Sequence, residues 1–149
     1  MSEQDRWFMN AYLRILLSKS VSAAGVSLVE HTMAKDFAVP LHVHNDEDET
    51  FYMLEGTARF QVEDKVFDAV PGQSFHVPGG TRHSFRVISD VAKFLTVSNG
   101  HFEDMVLEAS VPAERAELPP AAPFGPKEQQ RLAEICNLNG IEFVGPPVE

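Results

Sequence analysis

Cysteine is nearly missing: Cys136 is the one thiol in 149 residues. No intramolecular disulfide framework can be built from it. A reducing compartment is compatible with that, and the cytoplasm is the expected location. Basic residues are also scarce. Twelve Lys and Arg stand against 22 Asp and Glu, a formal net charge of −10. A phosphate-backbone binder needs a basic footprint, so the balance argues against a nucleic-acid partner. It also disfavours docking on anionic lipid. No apolar run approaches the ~20 residues that span a bilayer, so no membrane role is expected. The N-terminal RWFMNAYLRILLSKSVSAAG resembles a secretory leader at first sight, but Asn10 and Arg14 break its apolar part and Asp5 precedes it. The first hundred residues lack any long amphipathic helix, and the chain lacks a fixed-period repeat.

What is present is ordinary for a globular chain, with 44% hydrophobic and 23% charged residues. The length suits one domain with a proper core. Short apolar runs with partial alternation follow one another: YLRILLS, VSLVEHTM, TFYMLEG, ARFQVED, KVFDAVPG, SFHVPGG, HSFRVIS and AKFLTVS. Turn residues separate them, at Gly56, Asp64, Pro71-Gly72, Pro78-Gly79-Gly80 and Ser89-Asp90. Many short strands spaced by turns predict an all-β sandwich or barrel.

The character changes after Gly100. FEDMVLEAS places Phe102, Met105, Val106 and Ala109 at helical spacing. A Pro-rich linker, LPPAAPFGP, precedes KEQQRLAEICNLNG, which reads as a helix. Pro126 suits its first turn, Leu132, Ile135 and Cys136 form one stripe, and Gly140 is placed as its stop. The expected division is a β-barrel unit over residues 1–110 with an N-terminal strand, followed by a linker and C-terminal helix over 111–149. That tail is expected to pack on the barrel from outside.

The stretch PLHVHNDEDET carries the chemistry. His42 and His44 are two apart, so on a strand they share a face, with Cα atoms ~7 Å apart. Two imidazoles so placed can converge on one ion. Glu49 lies at an odd offset from His44, and an unbroken strand would send it to the opposite face. The chain must therefore turn or bulge through NDED, whose residues favour that. A new strand then begins at Glu49, with Phe51 and Met53 on its side. Histidine and carboxylate suit a divalent first-row metal, and two histidines plus one carboxylate with open positions is the pattern of non-haem iron oxygenases. A third histidine, His83, follows the Pro78-Gly79-Gly80 turn.

The whole constellation resembles the cupin superfamily. HVHNDEDETFYMLEG is H-x-H-x4-E-x6-G, from His42 to Gly56, and GQSFHVPGGTRH is G-x5-P-x-G-x2-H, from Gly72 to His83. These resemble the two motifs of that family, in order and with a short interval. Two edge positions depart from it: Asp36 stands where the first motif opens with Gly, and Val87 where the second ends with Asn. The resemblance implies an all-β double-stranded β-helix, a jelly-roll barrel, with a short C-terminal helical extension. It implies His42, His44, Glu49 and His83 as ligands of one divalent transition metal, which could be Fe, Ni, Mn, Co or Zn. The flanks, including GIEFVGPP, resemble single-domain cupins described as quercetin-dioxygenase-like. That implies a metal-dependent dioxygenase acting on a small aromatic, phenolic or enediol substrate, with Glu49 as both ligand and base. It also implies a homodimer, with YLRILLS available to pair across an interface.

Asp48 is the alternative carboxylate, but the motif spacing favours Glu49, and Asp46, Glu47 and Asp48 are expected in solvent. Phe51, Met53, Phe75, Phe85, Leu95 and Val97 are expected in the core. Phe51, Met53 and Phe85, with His76, could also line a substrate pocket beside the metal. His76 belongs there if the Ser74 face of its strand looks inward. His31 and His101 are expected to be structural or exposed, and Trp7 a packing anchor. Arg59, Arg82 and Arg86 could grip an anionic substrate, although Arg82, next to His83, should point away. Two rival functions stand beside the oxygenase: a metal-dependent isomerase or lyase on a sugar or hydroxy acid, and a non-catalytic small-ligand binder.

Overall fold

The computed structural model describes residues 4–149; residues 1–3 of the N-terminal unit lie outside them. The strands are β1 (Asp5–Phe8), β2 (Ala11–Leu17), β3 (Ser27–Ala34), β4 (Ala38–His44), β5 (Glu49–Glu55), β6 (Ala58–Val62), β7 (Lys65–Ala69), β8 (Ser74–Val77), β9 (His83–Val87), β10 (Val91–Ser98), β11 (Val111–Pro112) and β12 (Ile141–Gly145). The helices are α1 (Phe102–Ala109) and α2 (Pro126–Leu138). They form two antiparallel sheets, ordered β11-β1-β2-β3-β10-β5-β8 and β12-β4-β9-β6-β7. The sheets close face to face as an all-β jelly roll, with α1 packed on β1 and α2 on β12.

Alternation sets which side chains enter. On β3, Val29, His31 and Met33 are buried, and the residues between them are half-buried. On β5, Glu49, Phe51 and Met53 point in and Tyr52 and Leu54 point out. On β10 the inward set is Ala92, Phe94, Thr96 and Ser98. That corrects the expectation for Leu95 and Val97. They are apolar, but their parity puts them on the outer face, and Val97 is 40% exposed. The centre is a cluster of phenylalanines from both sheets. Phe51 stacks on Phe75 at 5.0 Å, Phe60 meets Phe75 edge-on at 4.6 Å, and Phe85 meets Phe94 edge-on at 5.1 Å. Offset and edge-on pairs of this kind add about 0.5–1.5 kcal/mol each beyond burial.

Turn geometry accounts for both the motif glycine and the motif departure. Gly56 has φ +70°, and a Cβ there would lie 2.1 Å from the Val91 carbonyl oxygen. No other residue fits without moving β10's entry. Asp36 has φ 70°, the same left-handed region. Asp tolerates that region better than most residues, so it can stand where Gly is usual. Val87, at the other departure, is fully buried in the core.

The C-terminal segment is built into the body. Its α2 buries Leu132, Ile135 and Cys136 in the same core as the strands, and β12 pairs with β4. On β1, Trp7 donates through Nε1 to the Glu117 carbonyl, and the Arg115 guanidinium lies over its ring. β2 lies between β1 and β3, so both of its edges are paired within the chain.

Candidate metal centre

β4 ends on His44, and β5 begins on Glu49. Residues 45–48 carry the chain from one sheet to the other. The odd offset between His44 and Glu49 is therefore resolved by a change of sheet, where parity along a single strand no longer applies. The crossing is held by the turn of the second motif. Gly80 N–H donates to the His44 carbonyl at 2.8 Å, and Gly79 N–H donates to Asp48 Oδ1 at 2.9 Å. The two motifs thus fasten each other.

His83 opens β9 and lies directly across the ladder from His42. One ligand atom from each of His42, His44, Glu49 and His83 falls within 4.8 Å of the others. A metal bond of ~2.0–2.2 Å sets its ligand atoms no more than about 4.4 Å apart, so the cluster is near the size of a coordination sphere. The three histidines come from the smaller sheet and the carboxylate from the larger.

Each imidazole is oriented through Nδ1. His42 Nδ1–H donates to the Pro40 carbonyl at 2.7 Å, and His83 Nδ1–H to the Thr81 carbonyl at 3.0 Å. A carbonyl can only accept, which fixes the proton on Nδ1 and leaves Nε2 with its lone pair. His44 Nδ1–H donates to Glu47 Oε1 at 2.8 Å. The Nε2 atoms of His44 and His83 both lie 3.2 Å from Glu49 Oε2. Three lone-pair-bearing atoms cannot face one another without a proton or a cation between them. Within the chain alone that role falls to a proton. Burial would lower the His44 pKa, but the Glu49 and Glu47 carboxylates outweigh it and push it up to about 10. Burial works against the Glu49 charge too, yet His44 and His83 hold its pKa well below the usual carboxylate range. His42 is held neutral by burial and by its two histidine neighbours. Ser98 pairs with Glu49 across the ladder, and its buried Oγ has no hydrogen-bond partner among the described residues. An orphaned polar atom beside convergent donors is what a site completed from outside the chain leaves behind. The donor set fits a divalent transition metal.

An apolar cavity adjoins the cluster. His42, His44 and Glu49 lie on its wall, with Phe51, Phe85, Phe94 and Phe102. Of the residues expected to line a pocket, Phe51 and Phe85 are on this wall. Met53 is not: it is fully buried inside the core, away from the cavity wall. His76 is not either. The Ser74 face of β8 looks outward, and His76 bonds Thr50 Oγ1 there, while Phe75 turns inward. Arg59 pairs with Asp68, Arg82 with Glu63, and Arg86 donates to the Val148 carbonyl. None of the three reaches the cavity.

Two residues matter more than their local sequence suggests. His31 is buried on the cavity wall, with Nε2 3.0 Å from Thr96 Oγ1. Burial lowers its pKa to about 4. Glu47, expected in solvent with its acidic neighbours, is only 6% exposed, whereas Asp46 and Asp48 are exposed as expected. A signal for Glu47 was within reach: it lies three residues after His44, the offset at which a carboxylate can turn back on an imidazole. His101 is exposed and bonds Asp104.

Comparison with known proteins agrees with this picture. A cupin-domain profile matches residues 29–98, which span both motifs. The chain is 28% identical over 144 residues to quercetin 2,3-dioxygenase of Bacillus subtilis, covering 95% of this chain and 42% of that protein. It thus spans less than half the length of that relative. Among solved structures, KdgF from Halomonas sp. superposes with a TM-score of 0.58 at 17% identity, covering 64% of this chain and 84% of that one. The polyketide cyclase RemF of Streptomyces resistomycificus superposes with a TM-score of 0.54 at 22% identity, covering 64% and 68%. Such structural likeness speaks for the fold and not for the reaction. With both motifs in place, the two-sheet jelly roll around them and the matching profile, residues 29–98 form a cupin domain.

Proposed function

We propose that the protein is a metal-dependent dioxygenase of small phenolic or enediol compounds, similar in chemistry to the quercetin dioxygenase it resembles. The observation that carries this reading is the composition of the cavity wall. It is apolar and rich in phenylalanine, and its polar side chains are His31, His42, His44 and Glu49. A flat aromatic ring can stack there and lose its water. A sugar would leave most of its hydroxyls without partners. A hydroxy acid would find no lysine or arginine among the described lining residues. The wall therefore favours the oxygenase over an isomerase or lyase.

His42, His44, Glu49 and His83 would hold the metal. When bound, a divalent transition metal supplies Lewis acidity and, for redox-active ions, the chemistry that dioxygen requires. The chain's own part is separate. The Glu49 carboxylate, on the cavity wall, accepts the proton of the substrate hydroxyl. The phenylalanine wall excludes water and holds the ring in one plane. Neutral His31 offers a hydrogen bond to a second oxygen of the substrate.

The test is oxygen uptake by protein reconstituted singly with Fe, Ni, Mn, Co or Zn, across flavonols, simpler phenols and diketones. Uptake with at least one phenolic class is expected, and Glu49→Gln should reduce kcat by ~10²-fold or more. Turnover of sugars or hydroxy acids under anaerobic conditions would establish the rival class. Ligand binding without turnover by any metal form would leave a binding protein.

A further inference from the structure

Glu47 occupies a place that neither motif assigns. It lies in the crossing between the two sheets, and its carboxylate is divided between two tasks. Oε1 accepts from His44 Nδ1–H at 2.8 Å, and Oε2 accepts from Phe102 N–H at 3.3 Å. Phe102 is the first residue of α1, and the residue before it, His101, gives no side-chain cap. Glu47 therefore supplies from 55 residues away the acceptor that the start of this helix would otherwise lack.

The space for this arrangement comes from Gly100. A Cβ at that position would lie 2.6 Å from Glu47 Cβ and 2.8 Å from Oε2. Both contacts are too short for any side chain to be added without displacing Glu47. Phe102 itself faces the cavity, and its ring centroid is 6.1 Å from that of His44. One carboxylate thus spans a candidate ligand and the helix that walls the cavity.

We propose that Glu47 is a positioning residue for the metal centre, fixing the His44 ring so that Nε2 faces the ion and tying that ring to α1, with Gly100 as the cradle that admits it. This rests on the reading of His42, His44, Glu49 and His83 as metal ligands. Partners that orient a ligating imidazole through its far nitrogen change metal affinity by 10–100-fold.

The experiment is a titration of metal-free protein with Co²⁺, followed by its visible absorption, with unfolding midpoints measured alongside. Glu47→Leu is expected to weaken Co²⁺ binding by 10–100-fold. Glu47→Gln, whose amide oxygen can still accept from Nδ1–H, should recover much of that loss. Gly100→Ala, which touches no ligand, should weaken binding to a similar extent. The Glu47→Leu/Gly100→Ala double variant should lose little more than either single change, because both act through one contact. Wild-type Co²⁺ affinity in folded Glu47→Leu or in folded Gly100→Ala would overturn the proposal, as would a Glu47→Gln variant that recovers nothing of the Glu47→Leu loss. So would fully additive losses in the double variant. His83→Ala tests the underlying ligand reading. If it binds Co²⁺ as tightly as the wild type, or if the wild type binds none, the ligand set fails and the role of Glu47 falls with it.

Discussion

His31 should leave its own pH signature on stability. Burial lowers its folded pKa to about 4, against about 6.5 in an unfolded chain. Between these values the unfolded chain takes up a proton and the folded chain does not. Stability is therefore full above pH 6.5 and falls as the pH drops toward 4. The shift corresponds to about 3 kcal/mol. His31→Phe removes the titrating group, so its stability should decline less over that window. Urea unfolding of both proteins at pH 7.5 and 4.5 measures the difference, and equal losses would show that His31 does not hold this role. No neighbouring residue in the sequence announces it. Its partner Thr96 is 65 residues away, and Phe94 and Phe102 complete its surroundings. Glu47 differs in part: its offset from His44 is local, but its burial depends on Gly100 and Phe102.

At the scale of elements, β12 and α2 decide how firmly the ligand strand is held. Ile141 is buried and pairs with His44 across the ladder, and Phe143 pairs with His42. Ile141→Ala should cost ~2–5 kcal/mol through lost burial and the cavity left behind. Val144, in the same strand, is 45% exposed. Val144→Ala should stay within ~0.5 kcal/mol. Guanidinium unfolding of the two variants checks this, and equal small effects would mean that β12 is not integral to the fold. The strand runs themselves were legible, since alternation and turn residues mark β3, β5 and β10 directly. Helices α1 and α2 follow the expected boundaries closely, because Pro126 and Gly140 punctuate the second and the apolar spacing marks the first. The side taken by SFHV follows its alternation: Phe75 and Val77 share one parity and Ser74 and His76 the other, and in the pairing with β5 the apolar pair turns inward and His76 outward.

For the molecule as a whole, the candidate metal centre acts as a fastening between sheets. Three of its ligands stand on β4 and β9 and the fourth on β5. A metal that binds only the folded chain should stabilise it by RT ln(1 + [M]/Kd), about 2.7 kcal/mol at a hundredfold excess over Kd. Adding Co²⁺ or Ni²⁺ should therefore raise the unfolding midpoint of the wild type, and a chelator should reverse it. His42→Ala and His83→Ala should abolish the increase. A rise that persists in both variants would place the metal elsewhere.

Strand period and turn residues are local quantities, and they were enough to point to an all-β fold; the four candidate ligands His42, His44, Glu49 and His83 were legible through the resemblance of the two motifs to the cupin pattern. Which neighbours serve those ligands follows from tertiary contacts. Glu47 is buried while Asp46 and Asp48 beside it are exposed, because Gly100 and the start of α1 close over one side of the crossing. His31 reaches the cavity while His76 does not, because sheet pairing fixes which face of each strand is inside. Burial of a polar side chain depends on contacts made by distant parts of the chain, and no local pattern encodes it.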